Sequence, residues 1–192
     1  MSRTPKALAL GFAIRQARIE RGMVLVPALL QTDDYVRAIM TAGGVPDDEI
    51  GTRINNRISR RQVLDKPLPP NFLALLGTAT LRQSLGGHDA AIEQAKHLLT
   101  MARMPNVEIR IIPDGVGWHP ALDGAFSFIE AGRPNGKGTI AFIDTRLSPL
   151  MVYEARAVEA YRQAVDWLLS IALNRESSAR YILEVANRLE QR

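Results

Sequence analysis

Lys66-Pro67-Leu68-Pro69-Pro70-Asn71-Phe72-Leu73-Ala74-Leu75-Leu76 divides the chain into two kinds of pattern. Pro67, Pro69 and Pro70 fix φ and remove three backbone donors, so no helix continues through them. The run from Asn71 to Leu76 that follows is short, continuous and apolar, which predicts a buried strand. Upstream of this break the apolar periodicity is helical. Residues 7–21 set Leu8, Phe12 and Ile19 near one face with Ile14 at its edge, place Arg15, Arg18 and Arg21 on the polar side, and stop at Gly22. Pro27 is suited to opening a second helix carrying Leu29, Leu30, Tyr35 and Ile39, with Gly43 and Gly44 as its end. Asp47, Asp48 and Glu49 suit the positive end of a third helix that runs to about Leu64.

Downstream the pattern is mixed. Gly86-Gly87 leads into a helix from about Asp89 to Arg103, Val107 to Ile112 alternates like a strand stopped by Pro113, and Ala125 to Glu130 and Thr139 to Ile143 read as two further strands. The Gly132–Gly138 loop between them is Gly-rich and basic, but it precedes a strand, so a hairpin loop is preferred to a phosphate cradle. Val152 to Leu173 is periodic at Val158, Tyr161, Val165, Leu168 and Leu169, and Ser177 is placed to cap a final helix ending near Leu189. Clustered strands flanked by helices predict an α+β fold with a mostly antiparallel central sheet, not alternating βαβ units. The predicted organisation is a relic-like N-terminal helix over residues 1–23 and a single α+β domain over 24–192.

At 192 residues the chain has room for about one well-buried domain. The absence of Cys excludes disulfides, thiolate zinc sites, iron–sulfur ligation and cysteine nucleophiles. Apolar runs such as Met23 to Leu30 fall well short of the ~18 residues that span a bilayer, and Met1 to Lys6 leads into no secretory signal, so a cytoplasmic protein without membrane contact is expected. The net charge of +4 is local, because residues 1–66 hold 11 Lys+Arg against 7 Asp+Glu while the remainder holds 13 of each. Arg53, Arg57, Arg60 and Arg61 recur at helical spacing and form a candidate basic face, for which a solvated surface paired with Asp47 or Glu49 is the plainer reading.

Dinucleotide, P-loop and zincin signatures are missing. Of the three histidines, His88 and His97 read as capping or surface residues, and no metal or cofactor site is expected. Met101 and Met104 read as core filling. Gly115-Val116-Gly117-Trp118-His119-Pro120-Ala121-Leu122-Asp123-Gly124 is the segment that draws together an aromatic ring, an imidazole and a carboxylate in a Gly- and Pro-shaped loop. His119 and Asp123 are candidates for a base and its orienter, with Asp144 or Tyr35 as further polar partners; packing by Trp118 and turn-capping by Asp123 is the alternative.

Pro27-Ala28-Leu29-Leu30-Gln31-Thr32-Asp33-Asp34-Tyr35-Val36-Arg37-Ala38 resembles the opening of the C-terminal domain of actinobacterial lambda-repressor-type (Xre) regulators, including the Scr1-type, antitoxin-like transcription factors. Further landmarks follow in order: Arg61 to Leu64, Leu81-Arg82 before Gly86-Gly87, Met104 to Val107, Gly117 to Phe126, and Tyr161. The resemblance covers roughly residues 24–190. It implies a sensor of a small molecule or protein partner behind a helix-turn-helix, and marks Gln31, Tyr35, Arg82, Trp118, His119, Asp123, Phe126 and Asp144 as ligand-contact candidates. Leu8 to Gly22 is similar to the first helix of such a DNA reader, after which Met23 runs into the later domain without a recognition helix. The family's acidic pair ahead of Leu-Arg is replaced by Gly77-Thr78, and its later Glu by Asp144.

Two functions follow as expectations. The first is a small-molecule or partner-binding domain, with a protein partner or homodimer as the alternative occupant and no sequence-specific DNA binding of its own. The second is a recruited enzyme of specialised metabolism, of cyclase or lyase type, using His119 and Asp123 for proton transfer.

Overall fold

The computed structural model describes residues 25–130, 138–143 and 148–191. The helix expected over residues 7–22, Asp144, and all of the Gly132–Gly138 loop except Gly138 lie outside the described residues.

Pro27 opens only a 3₁₀ turn, Ala28–Leu30, before Gln31 and Thr32 become extended and the helix restarts as α1, Asp33–Ala42. The single helix expected across Pro27 to Ile39 is therefore broken. Thr32 caps α1, its Oγ1 accepting from Tyr35 N at 3.4 Å, and Asp33 and Asp34 occupy the positive first turn. The α2 helix, Asp47–Arg61, has three acids in its first turn and Arg60 and Arg61 in its last. It packs Ile50 and Ile54 against Val36 and Met40 of α1. A 3₁₀ turn, Gln62–Asp65, ends at Lys66, which is extended as the following proline requires.

Beyond the prolines comes β1, Phe72–Gly77, then the short α3, Thr78–Arg82, then α4, His88–Met101, and then β2, Val107–Ile112. The two strands pair in parallel with Phe72 opposite Val107 and Gly77 opposite Ile112. The α+β class stands, but the central pair is a βαβ unit and the expected single sheet is two small ones. The continuous apolar run of β1 carries the reason: a strand covered on both faces has no polar face to alternate with. Phe72, Ala74 and Leu76 enter one core with Leu98 of α4 and Ile182 of the final helix, while Leu73 and Leu75 enter a second core. Period-two geometry thus makes one strand the wall between two hydrophobic clusters.

The second sheet is antiparallel, with β4, Ile140–Ile143, between β3, Ser127–Ile129, and β5, Leu150–Val152. It closes the second core together with α5, Ala155–Ile171. The helix expected from Val152 begins later because Glu154 caps it, its carboxylate accepting from Arg156 N and Ala157 N at 2.9 and 2.8 Å. The final helix, α6, Arg175–Glu190, is capped by Asn174 rather than Ser177; Asn174 Oδ1 accepts from Ser177 N at 2.8 Å. Fully buried Ser178 joins α6 to β2, accepting from Ile111 N at 3.0 Å and donating to Leu173 O at 3.2 Å. Met101 is buried in the first core with Met104 packed against it, in keeping with their reading as core-filling residues.

Candidate functional site

The segment after β2 runs along the end of the parallel strand pair before reaching β3. Asp114, just past Pro113, accepts from Thr78 Oγ1 and takes a two-pronged contact from Arg82, at 2.7 Å from Nη1 and 3.3 Å from Nη2. The Thr78 hydroxyl, followed by Arg82, holds the Asp114 carboxyl below its usual range. Arg82 is thereby committed to fixing the loop where it leaves the strand. His119 then precedes a 3₁₀ turn, Pro120–Asp123, closed by Leu122 N donating to His119 O at 2.9 Å. Ala121 is the turn's buried foot, and Gly124, at φ 142°, lets the chain turn back toward Phe126.

This turn separates two cavities. The larger, about 450 Å³, lies between the turn and α5. Phe126, Tyr161 and Trp167 supply its aromatic wall, Ala125, Ile143, Ala160 and Ala164 its smaller apolar surfaces, and Asp123 and Gln163 polar groups. The Phe126 and Tyr161 rings sit 4.9 Å apart at 59°. Burial raises the Tyr161 phenol above its ordinary value, so it is a neutral hydrogen-bonding group at neutral pH. Trp167 stands edge-on to Trp118 at 5.3 Å, and both indoles are well exposed, at 46% and 58%. Among the described residues lining this cavity, Asp123 alone carries a charge. The smaller cavity, about 280 Å³, is lined by Gly77, Thr78, Asp114, Gly117, His119 and Leu122 among others. It sits at the carboxyl ends of the parallel strands, where α/β sheets place their ligands.

His119 and Asp123 line different cavities. His119 is the extended residue that precedes the 3₁₀ turn, and Asp123 is the turn's last residue. Among the described residues, Nδ1 of His119 is buried with no hydrogen-bond partner, and burial pushes the imidazole below its ordinary value. No described carboxylate bonds that nitrogen.

Of the other candidates, Asp123 and Phe126 share the larger cavity, with Trp118 reaching it through Trp167. Gln31 and Tyr35 are elsewhere, tied to the opening turn: Tyr35 Oη accepts from Val26 N at 3.1 Å, and Gln31 Nε2 donates to Val26 O at 2.5 Å. Tyr35 belongs to the first core, whereas Phe126 belongs to the second. The basic face is also partly consumed. Arg57 donates to Gln31 Oε1, Arg61 donates to Gln31 O at 3.2 Å and meets His97 Nε2 at 3.1 Å, and exposed Arg53 pairs with Glu49 at 2.8 Å, while Arg60 is also exposed. Among the described residues, no cluster of three or more His, Asp or Glu is placed to hold a metal ion. No helix among them is long and apolar enough to cross a membrane.

Trp167, Ala164 and Asp114 were not singled out by the sequence, and Thr78 was noted only as a departure from the family's acidic pair. Ala160, Tyr161, Ala164 and Trp167 follow helical spacing and were the available signal for a second apolar stripe on α5.

Fold and site together define an α+β domain with a ligand-sized aromatic cavity beside a Gly- and Pro-shaped turn. Residues 18–184 match the family model described as a domain of unknown function, DUF5753, and the chain belongs to that family. No curated protein and no solved structure matches it.

Proposed function

We propose that this DUF5753 domain is a small-molecule-binding module, of the sensing kind that its resemblance to Xre-type regulators implies. The observation that carries the reading is the 450 Å³ cavity walled by Phe126, Tyr161 and Trp167. Its size falls within the usual range for small-ligand sites, about 300–1,000 Å³, and its apolar wall with a few polar groups is their usual lining. The exposed Trp118–Trp167 pair at its edge offers large apolar area that a ligand would cover.

A cyclase or lyase drawing on both His119 and Asp123 would need them around one reacting atom, and they line separate cavities. Sequence-specific DNA binding by this domain is not part of the proposal, since Arg57 and Arg61 are engaged with Gln31 and His97.

The test is a thermal-shift screen against apolar metabolites, because a ligand that binds only the native state raises its stability by mass action. Ala164→Trp, which fills the cavity from α5, should abolish any shift observed, whereas His119→Ala should leave it largely intact with no turnover detected. Turnover that His119→Ala eliminates would replace this reading with the enzymatic one. Shifts unaffected by Ala164→Trp would place the ligand elsewhere.

A further inference from the structure

We infer that the cavity between the Pro120–Asp123 turn and α5 selects ligands that carry a protonated amine on an apolar or aromatic body. The inference rests on the small-molecule reading above and adds the charge of the ligand.

Three observations carry it. Asp123 is the single charged side chain among the described residues lining the cavity. The wall beside it is aromatic, and aromatic faces attract cations through their quadrupole. The neighbouring cation on α5 is already matched: Arg162 bonds Glu130, lies 3.4 Å from Glu159, and sits 5.2 Å from the centre of the Phe128 ring. Among the described lining residues, a carboxylate entering here would meet Asp123 and no cation, whereas an ammonium would meet both Asp123 and the aromatic wall.

Asp123 is solvent-exposed, which limits the effect. An exposed ion pair together with one exposed cation–π contact corresponds to roughly a tenfold preference for ammonium over carboxylate.

Three probes of matched shape test this: 2-phenylethylamine, 2-phenylethanol and 3-phenylpropionate, each titrated into the whole chain with chemical shifts of the cavity-lining residues as readout. The expected order of affinity is amine, alcohol, acid, with about tenfold between the ends at low salt and less at high salt. Asp123→Asn should reduce the amine-to-acid ratio by at least about threefold, and Asp123→Glu should keep it above unity. Acid binding as tightly as amine, or a ratio that Asp123→Asn leaves in place, overturns the charge selection while the cavity remains a binding site. Failure of all three to shift the cavity residues overturns the small-molecule reading itself, and this inference with it.

Discussion

Replacing Gln94 with Leu separates a structural from a ligand-contacting role for the opening segment. Gln94 is 3% exposed on α4, and its amide works as a two-sided clamp: Oε1 accepts from Thr32 N at 2.8 Å and Nε2 donates to Leu30 O at 2.7 Å. Those two backbone groups flank Gln31, where the chain is extended between the 3₁₀ turn and α1, so no helical bond is available to them in its place. Gln94→Leu keeps the approximate volume but orphans one buried donor and one buried acceptor. At about 1–3 kcal/mol for each orphan, and allowing for the favourable burial of leucine, the net loss is about 3 kcal/mol. In a domain of this size that lowers Tm by roughly 6–12 °C. Urea denaturation should show a lower midpoint with an unchanged m-value. Affinity of the folded variant for a cavity ligand should stay at the wild-type value, because Gln94 and the opening turn meet the first core and the cavity borders the second. Unchanged stability would refute the clamp. Lost affinity in a fully folded variant would show that the opening segment contributes to the ligand site.

Ser178→Ala removes the hydroxyl that accepts from Ile111 N and should cost about 2 kcal/mol in denaturation experiments; a change below about 0.5 kcal/mol would show that β2 does not depend on it. Gly86→Ala should destabilise by about 1–3 kcal/mol, because Gly86 sits at φ 83° and an added Cβ would lie 2.9 Å from that of Ala90; a neutral result would mean that α1 and α4 can separate at little cost. Burial lowers the His97 imidazole, with Arg61 adding to the effect, and burial lowers His119. The unfolded chain therefore binds more protons once pH falls below the ordinary histidine value of about 6.5, and stability present above that value is lost as pH drops. Denaturation midpoints between neutral and mildly acidic pH should show this loss, and His97→Gln with His119→Gln should flatten it; a midpoint that rises on acidification would contradict the burial of both rings.

Much of this architecture was readable from residue pattern, and the failures share a cause. The Pro67 to Pro70 break, the strand after it and the alternating Val107 to Ile112 are local signals, and they lie where expected. Parallel pairing was not local: it depends on α4 carrying the chain back across the sheet, and a continuous apolar strand looks the same in either orientation. The three-residue β5 is too short for period-two counting, and its Leu150 and Met151 are exposed. Within the site, the Trp118 to Phe126 loop stood out through its residue types, which single it out from an otherwise ordinary composition. Its partners on α5 come from about forty residues further on, and only the second core's closure brings Tyr161 against Phe126. His119 and Asp123 line different cavities, because His119 is the extended residue before the 3₁₀ turn and Asp123 is its last residue, so the four-residue spacing that aligns side chains on an α-helix does not apply to them.

The site itself is tested most directly by mapping where a neutral apolar probe binds. Titration of isotopically labelled protein with 2-phenylethanol should give saturable shifts at Asp123, Gly124, Ala125 and Ala164 and at the Trp167 indole N–H, and Ala164→Trp should remove them. Shifts confined to Gln31, Tyr35 and their neighbours, or shifts that survive Ala164→Trp, would contradict a ligand site between the Pro120–Asp123 turn and α5.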